Sequence, residues 1–104
     1  MAKRRRIGGL PPKEIDPIAF AARLRAARGA LGWSQTELGR RVGVTQRAIY
    51  RIEIAAVRPR DDTRARIDAA FKIAGVQFEE LDRGAFKLVV PETVLRTPPR
   101  RSTR

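Results

Sequence analysis

A chain of 104 residues has room for one small domain. It holds 23 Lys+Arg against 11 Asp+Glu, a formal net charge of +12, and neither Cys nor His. Those absences exclude disulfide frameworks, Cys/His zinc sites, thiol nucleophiles and imidazole triads; with no paired carboxylates in a cleft-like setting either, the expectation is a non-enzyme without metal or cofactor.

Residues 1–13 carry Lys3, Arg4, Arg5, Arg6 and Lys13 with no acid, around Gly8-Gly9 and Pro11-Pro12. They read as a disordered basic arm. Met1 to Arg6 lacks the apolar stretch of a secretory signal, and no apolar run approaches the ~20 residues of a membrane span, so a cytoplasmic protein with no membrane partner is expected.

The first helix is punctuated at both ends: Asp16 as cap, Pro17 at the first helical position, Gly32 as stop. Phe20, Leu24, Ala27 and Leu31 form its inward stripe, and Arg23, Arg25 and Arg28, which fall off it, read as a solvated face. Ser34 to Glu37 fits a capping box opening a second helix, with Trp33 and Leu38 as hydrophobic staple, Val42 inward and Gly43 as stop. Val44 and Thr45 repeat the arrangement for a third helix, on which Ile49 and Ile52 point inward and Gln46, Arg47, Tyr50 and Arg51 outward. Two short helices joined by Gly43-Val44-Thr45 make a helix-turn-helix unit.

Ile54 to Arg60 is aperiodic, contains Pro59 and reads as a loop. Asp61 or Asp62 can cap a fourth helix with the stripe Ile67, Ala70, Phe71, Ala74, ending at Gly75. Alternation in Val76-Gln77-Phe78 and again in Phe86, Leu88, Val90, about the turn Asp82-Arg83-Gly84, predicts a β-hairpin over about 77–90. Residues 91–104, with Pro91, Pro98-Pro99, Arg96, Arg100, Arg101 and Arg104 against Glu92, read as a second disordered basic tail. The expected fold is mainly α: a four-helix helix-turn-helix domain over 14–76, a hairpin extension over 77–90, and basic tails at 1–13 and 91–104.

The charge of the folded part is uneven. Residues 34–60 come to +4 and residues 61–90 to −1. Donors on one exposed helical face, flanked by positive charge, are what groove recognition needs. Gln46 can pair with adenine, and Arg47 or Arg51 with guanine, with Tyr50 beside them as a further base-side candidate. Ser34 and Gln35 open one helix and Thr45 caps the next, positions suited to phosphate, with Arg40, Arg41, Arg58 and Arg60 as further backbone contacts. Plainer readings stand beside these: Gln46 as a solvent-exposed residue near a helix N-terminus, Arg51 paired with Glu53 or Glu37, Tyr50 half-buried, and Trp33 as core.

From Trp33 to Glu53 the chain resembles the phage repressor/Cro-type, or xenobiotic-response-element (XRE), helix-turn-helix family. The resemblance rests on the small residue Gly39, the turn glycine Gly43, the apolar set Leu38, Val42, Val44, Ile49 and Ile52, and glutamines at the start of both helices, and it covers roughly residues 18–74. It implies a repressor-like domain whose third helix enters the DNA major groove. Two departures are visible: Ala55 stands where the family often has glycine, and a hairpin stands where a fifth helix often follows.

The function expected is a sequence-specific transcription regulator of the repressor type, nucleoid-associated, with double-stranded DNA and a second copy of itself as partners. The strand edge around Phe86 to Val90 is the candidate contact between copies. An antitoxin-type protein that also binds a toxin, and a nonspecific nucleic-acid coater working through its arginine arms, are the competing readings.

Overall fold

Pro17, with its fixed φ, starts the first helix; Asp16 before it is extended (φ −58°, ψ 136°), as residues preceding proline are, and its side chain makes no capping bond. In the computed structural model, which describes residues 16–96, α1 (Pro17–Leu31) is followed by α2 (Gln35–Val42), α3 (Gln46–Glu53) and α4 (Asp61–Ile73). A hairpin of β1 (Gln77–Glu80) and β2 (Phe86–Val89) and a last turn of helix, α5 (Glu92–Leu95), complete the fold. The basic arm expected at 1–13 and the tail beyond Arg96 lie outside the described residues.

The caps of the central helices are made as their residues demand. Ser34 Oγ accepts the Glu37 N–H at 3.0 Å and Thr45 Oγ1 accepts the Ala48 N–H at 3.0 Å. Such caps are worth about 1 kcal/mol each, which matters for helices of only eight residues. The cap expected at Asp61 or Asp62 is not there. Arg60 occupies the N-cap position, and both aspartates lie in the first turn of α4, where their charge faces the positive end of the helix dipole.

One core joins the four long helices. Phe20, Leu24 and Ala27 of α1 meet Leu38 and Val42 of α2, Ile49 and Ile52 of α3, and Ile67 and Phe71 of α4, with Trp33 and Val76 closing it. Leu31, at the end of the α1 stripe, is only partly buried. Each fully buried Leu, Ile or Phe contributes roughly 1.5–3 kcal/mol over its exposed state. Trp33 and Phe71 stack with centroids 5.9 Å apart, and Phe78 meets Phe71 edge-on at 6.3 Å, which fastens the hairpin to α4.

The hairpin is antiparallel, with Phe78 opposite Leu88 on its inward face and Glu79 opposite Lys87 on its outward face. Arg23, read from the sequence as solvated, instead lays its guanidinium over the Phe78 ring, 4.4 Å from the centroid.

Residues 91–96, expected to belong to the basic tail, are ordered. Pro91 packs over Gly75, Glu92 pairs with Arg96 at 2.7 Å, and α5 lies against α1. A proline at a helix N-cap and an i,i+4 ion pair support one turn of helix that composition alone classes as tail.

Candidate nucleic-acid interface

Two glycines set the relation between α2 and α3. Gly43 holds φ +80°, the left-handed conformation that lets α2 stop and the chain reverse. A Cβ on Gly39 would lie 2.6 Å from the Val44 carbonyl oxygen, so only glycine lets the link pass this close to α2.

The outward face of α3 is as the sequence predicts. Gln46, Arg47 and Arg51 are exposed, and Tyr50 is 47% exposed, closer to an available surface residue than to a packed one. Ile49 and Ile52 are buried, at 0% and 4% exposure, so the helix has one face in the core and one open to solvent.

Behind that face runs a chain of hydrogen bonds that the sequence reading missed. Glu53, the last residue of α3, is buried. Its carboxylate accepts from Arg28 Nε at 2.5 Å and Arg28 Nη2 at 3.0 Å, and its backbone carbonyl accepts from Arg25 at 2.6 Å. Arg28 also donates to the Trp33 carbonyl at 2.9 Å, tying α1 to the start of α2. Gln35 Nε2 donates to the same Glu53 carboxylate at 2.9 Å, and Gln35 Oε1 in turn accepts from Gln46 Nε2 at 2.6 Å. The side chains of Arg28, Glu53, Gln35 and Gln46 thus form one connected line from α1 to the tip of α3. Arg28 is a part-buried bridge and not part of a solvated face, while Arg25 is exposed as expected and also reaches the Glu53 carbonyl. A signal was available: Glu53 follows Ile49 by four residues, so an acidic group stands on the buried face of α3 and must have a cationic partner.

This line fixes what Gln46 offers. One of its two amide hydrogens goes to Gln35, leaving one N–H and the carbonyl oxygen. An acceptor beside a donor is the pattern that pairs with the N6 and N7 edge of adenine.

The phosphate candidates are placed unequally. Ser34 and Thr45 use their hydroxyl oxygens for caps, and Gln35 is taken up by Glu53 and Gln46. Arg40 is well exposed and 3.6 Å from Glu37. Arg41 pairs with Glu37 at 2.8 Å and lies over the Trp33 ring at 4.0 Å. Arg41 stands two residues on from Gly39, hence on the side of α2 turned away from α3. Arg58 and Arg60 are exposed in the loop before α4, Arg60 lying 3.5 Å from Asp62. Arg51 is not paired with Glu53, whose carboxylate is committed to Arg28 and Gln35.

Residues 19–82 match the family described as helix-turn-helix domain, and the chain belongs to that family. It is a domain of the DNA-binding kind that transcription regulators carry. Neither the curated proteins nor the solved structures gave a match. Among the described residues no helix is long and apolar enough to cross a membrane, and no cluster of carboxylates could hold a metal ion.

Proposed function

We propose that this protein is a sequence-specific transcription regulator of the XRE repressor type, which sits on double-stranded DNA in the cytoplasm as a homodimer and reads the major groove with α3. The observation that carries the reading is the Gln35–Gln46 bond, because it commits one hydrogen of Gln46 and presents the rest of the amide in a fixed adenine-reading pose. Arg47 and Arg51 are assigned to guanine edges and Tyr50 to base-side contact, since all three are exposed on the same helix. Phosphates are assigned to the backbone N–H groups at the α2 start (Ser34, Gln35) and at Thr45, whose side chains are already committed, and to Arg40, Arg58 and Arg60. Arg41 is assigned to packing on Trp33, given its partners. Dimerisation supplies what one eight-residue helix lacks, since it reads only a few base pairs. Selection of bound duplexes from a random pool tests the reading: a two-fold symmetric motif supports it, and the absence of any enriched motif rejects it.

A further inference from the structure

Among the described residues neither outer edge of the hairpin has a strand partner, and the register dictates what the β2 edge can accept. Among the described residues the sheet has two strands. The Leu81 N–H donates to the Ala85 carbonyl at 2.8 Å, so the 81/85 pair is hydrogen-bonded. Alternation along an antiparallel ladder then makes Glu79–Lys87 and Gln77–Val89 the other bonded pairs. The N–H and C=O groups of Phe86 and Leu88 therefore point away from β1, and those of Val90 continue the row.

We propose that a second copy of this chain pairs with this edge, β2 against β2 in antiparallel fashion about a two-fold axis at Leu88, giving a four-stranded sheet across the dimer. This rests on the dimeric reading above and gives it a surface. Centred on Leu88, the register sets Leu88 opposite its copy and Phe86 opposite Val90 of the second copy, matching the groups that point outward. Charge selects this edge over the other. Two β1 edges would bring the adjacent Glu79 and Glu80 of both copies together, whereas β2 carries one charge among apolar residues. That charge, Lys87, is held by Glu79 of its own hairpin at 2.9 Å. On the outward face of the joined sheet each row then runs Glu79, Lys87, and Val89 and Gln77 of the second copy, with no like charges adjacent. A lysine in an edge strand ordinarily discourages pairing; here it is neutralised within its own protomer. The region is also where copies of a chain of net charge +12 repel least, for residues 73–95 hold Glu79, Glu80, Asp82 and Glu92 against only Arg83 and Lys87. Val89, 45% exposed, is the apolar surface that the pairing would cover.

Sedimentation equilibrium of the full chain, without DNA, tests this with two substitutions at one exposed position. Val89→Lys sets a lysine beside Lys87 of the second copy twice per dimer and should raise the dimer dissociation constant about tenfold. Val89→Glu sets a carboxylate there and should leave the dimer at least as tight as the original. Circular dichroism should show both variants folded. A monomeric wild-type chain, or a dimer equally indifferent to both substitutions, overturns the proposal. Selection of bound duplexes from a random pool, run in parallel, separates this from the DNA reading: a dimer that follows the charge rule but enriches no motif keeps the interface and rejects the regulator.

Discussion

Gln46, which opens α3, donates its amide hydrogen to Gln35, which opens α2, over 2.6 Å. The two helices of the motif are therefore locked at their tips as well as at their buried faces. Because Gln35 is itself anchored on Glu53 at 2.9 Å, any change at the far end of α3 reaches the residue proposed to touch bases.

Glu53→Gln should destabilise the domain and loosen Gln46 together. Losing a charged hydrogen-bonded pair costs roughly 1.5–3 kcal/mol, and the part-buried Arg28 would face a neutral amide. Urea denaturation reads the first effect, and loss of adenine preference at the Gln46 position reads the second. A variant with wild-type stability would show that the line of bonds is not a constraint.

Ala55 holds φ +59°, and the turn there is tight, with its N–H donating to the Ile52 carbonyl at 3.0 Å. A non-glycine residue in this region costs about 1–2 kcal/mol. Glycine relieves that cost but loses about 0.5–1 kcal/mol more backbone entropy on folding. Ala55→Gly should then stabilise by roughly 0.5–1 kcal/mol, raising Tm by a few degrees for a domain this size. Ala55→Val should do the opposite. A lowered melting temperature for the glycine variant would contradict the strain assigned to this turn.

Gly39→Val should unfold or displace the α2–α3 link, because its branched Cβ meets the Val44 carbonyl at 2.6 Å and backbone cannot easily yield. Overpacking of this kind costs roughly 1–3 kcal/mol. Arg41→Ala, by comparison, should lower stability slightly through the lost Trp33 stacking and leave DNA affinity nearly unchanged. A large affinity loss for Arg41→Ala at wild-type stability would return it to the phosphate set.

Much of this was legible in the sequence because it is local. Ser34 and Thr45 cap, Gly32 and Gly43 stop, and Leu38, Ile49 and Ile67 turn inward, all within one or two turns of their neighbours. The line through Arg28 and Glu53 was legible only at its acidic end, in the spacing of Glu53 from Ile49; its partner stands 25 residues away, and an arginine off an apolar stripe looks the same whether it meets water or a buried carboxylate. The α4 start was misplaced by one or two residues for a related reason: an aspartate suits both the N-cap and the first turn. The ordered α5 was hidden by prolines and arginines that composition assigns to a tail.

Salt dependence should report the arms. Residues 1–13 contribute +5, and residues 97–104 a further +3 through Arg100, Arg101 and Arg104. Each phosphate neutralised on duplex DNA adds roughly 0.9 to the slope of log K against log salt. A chain cut to 14–96, which keeps α5, should bind all sequences more weakly with a shallower slope. An unchanged slope would show that the arms do not meet the backbone.

The central claim, that α3 is the reader, is tested most directly by binding of Gln46→Ala, Arg47→Ala and Arg40→Ala to a library of single-base variants of the selected site. The first two should each relax preference at one or two base positions per half-site, by about 1–3 kcal/mol of discrimination. Arg40→Ala should weaken every duplex alike and leave the preferences intact. If Gln46→Ala and Arg47→Ala also lower affinity uniformly, with base preferences unchanged, α3 does not read the DNA and the assignment of its outward face is wrong.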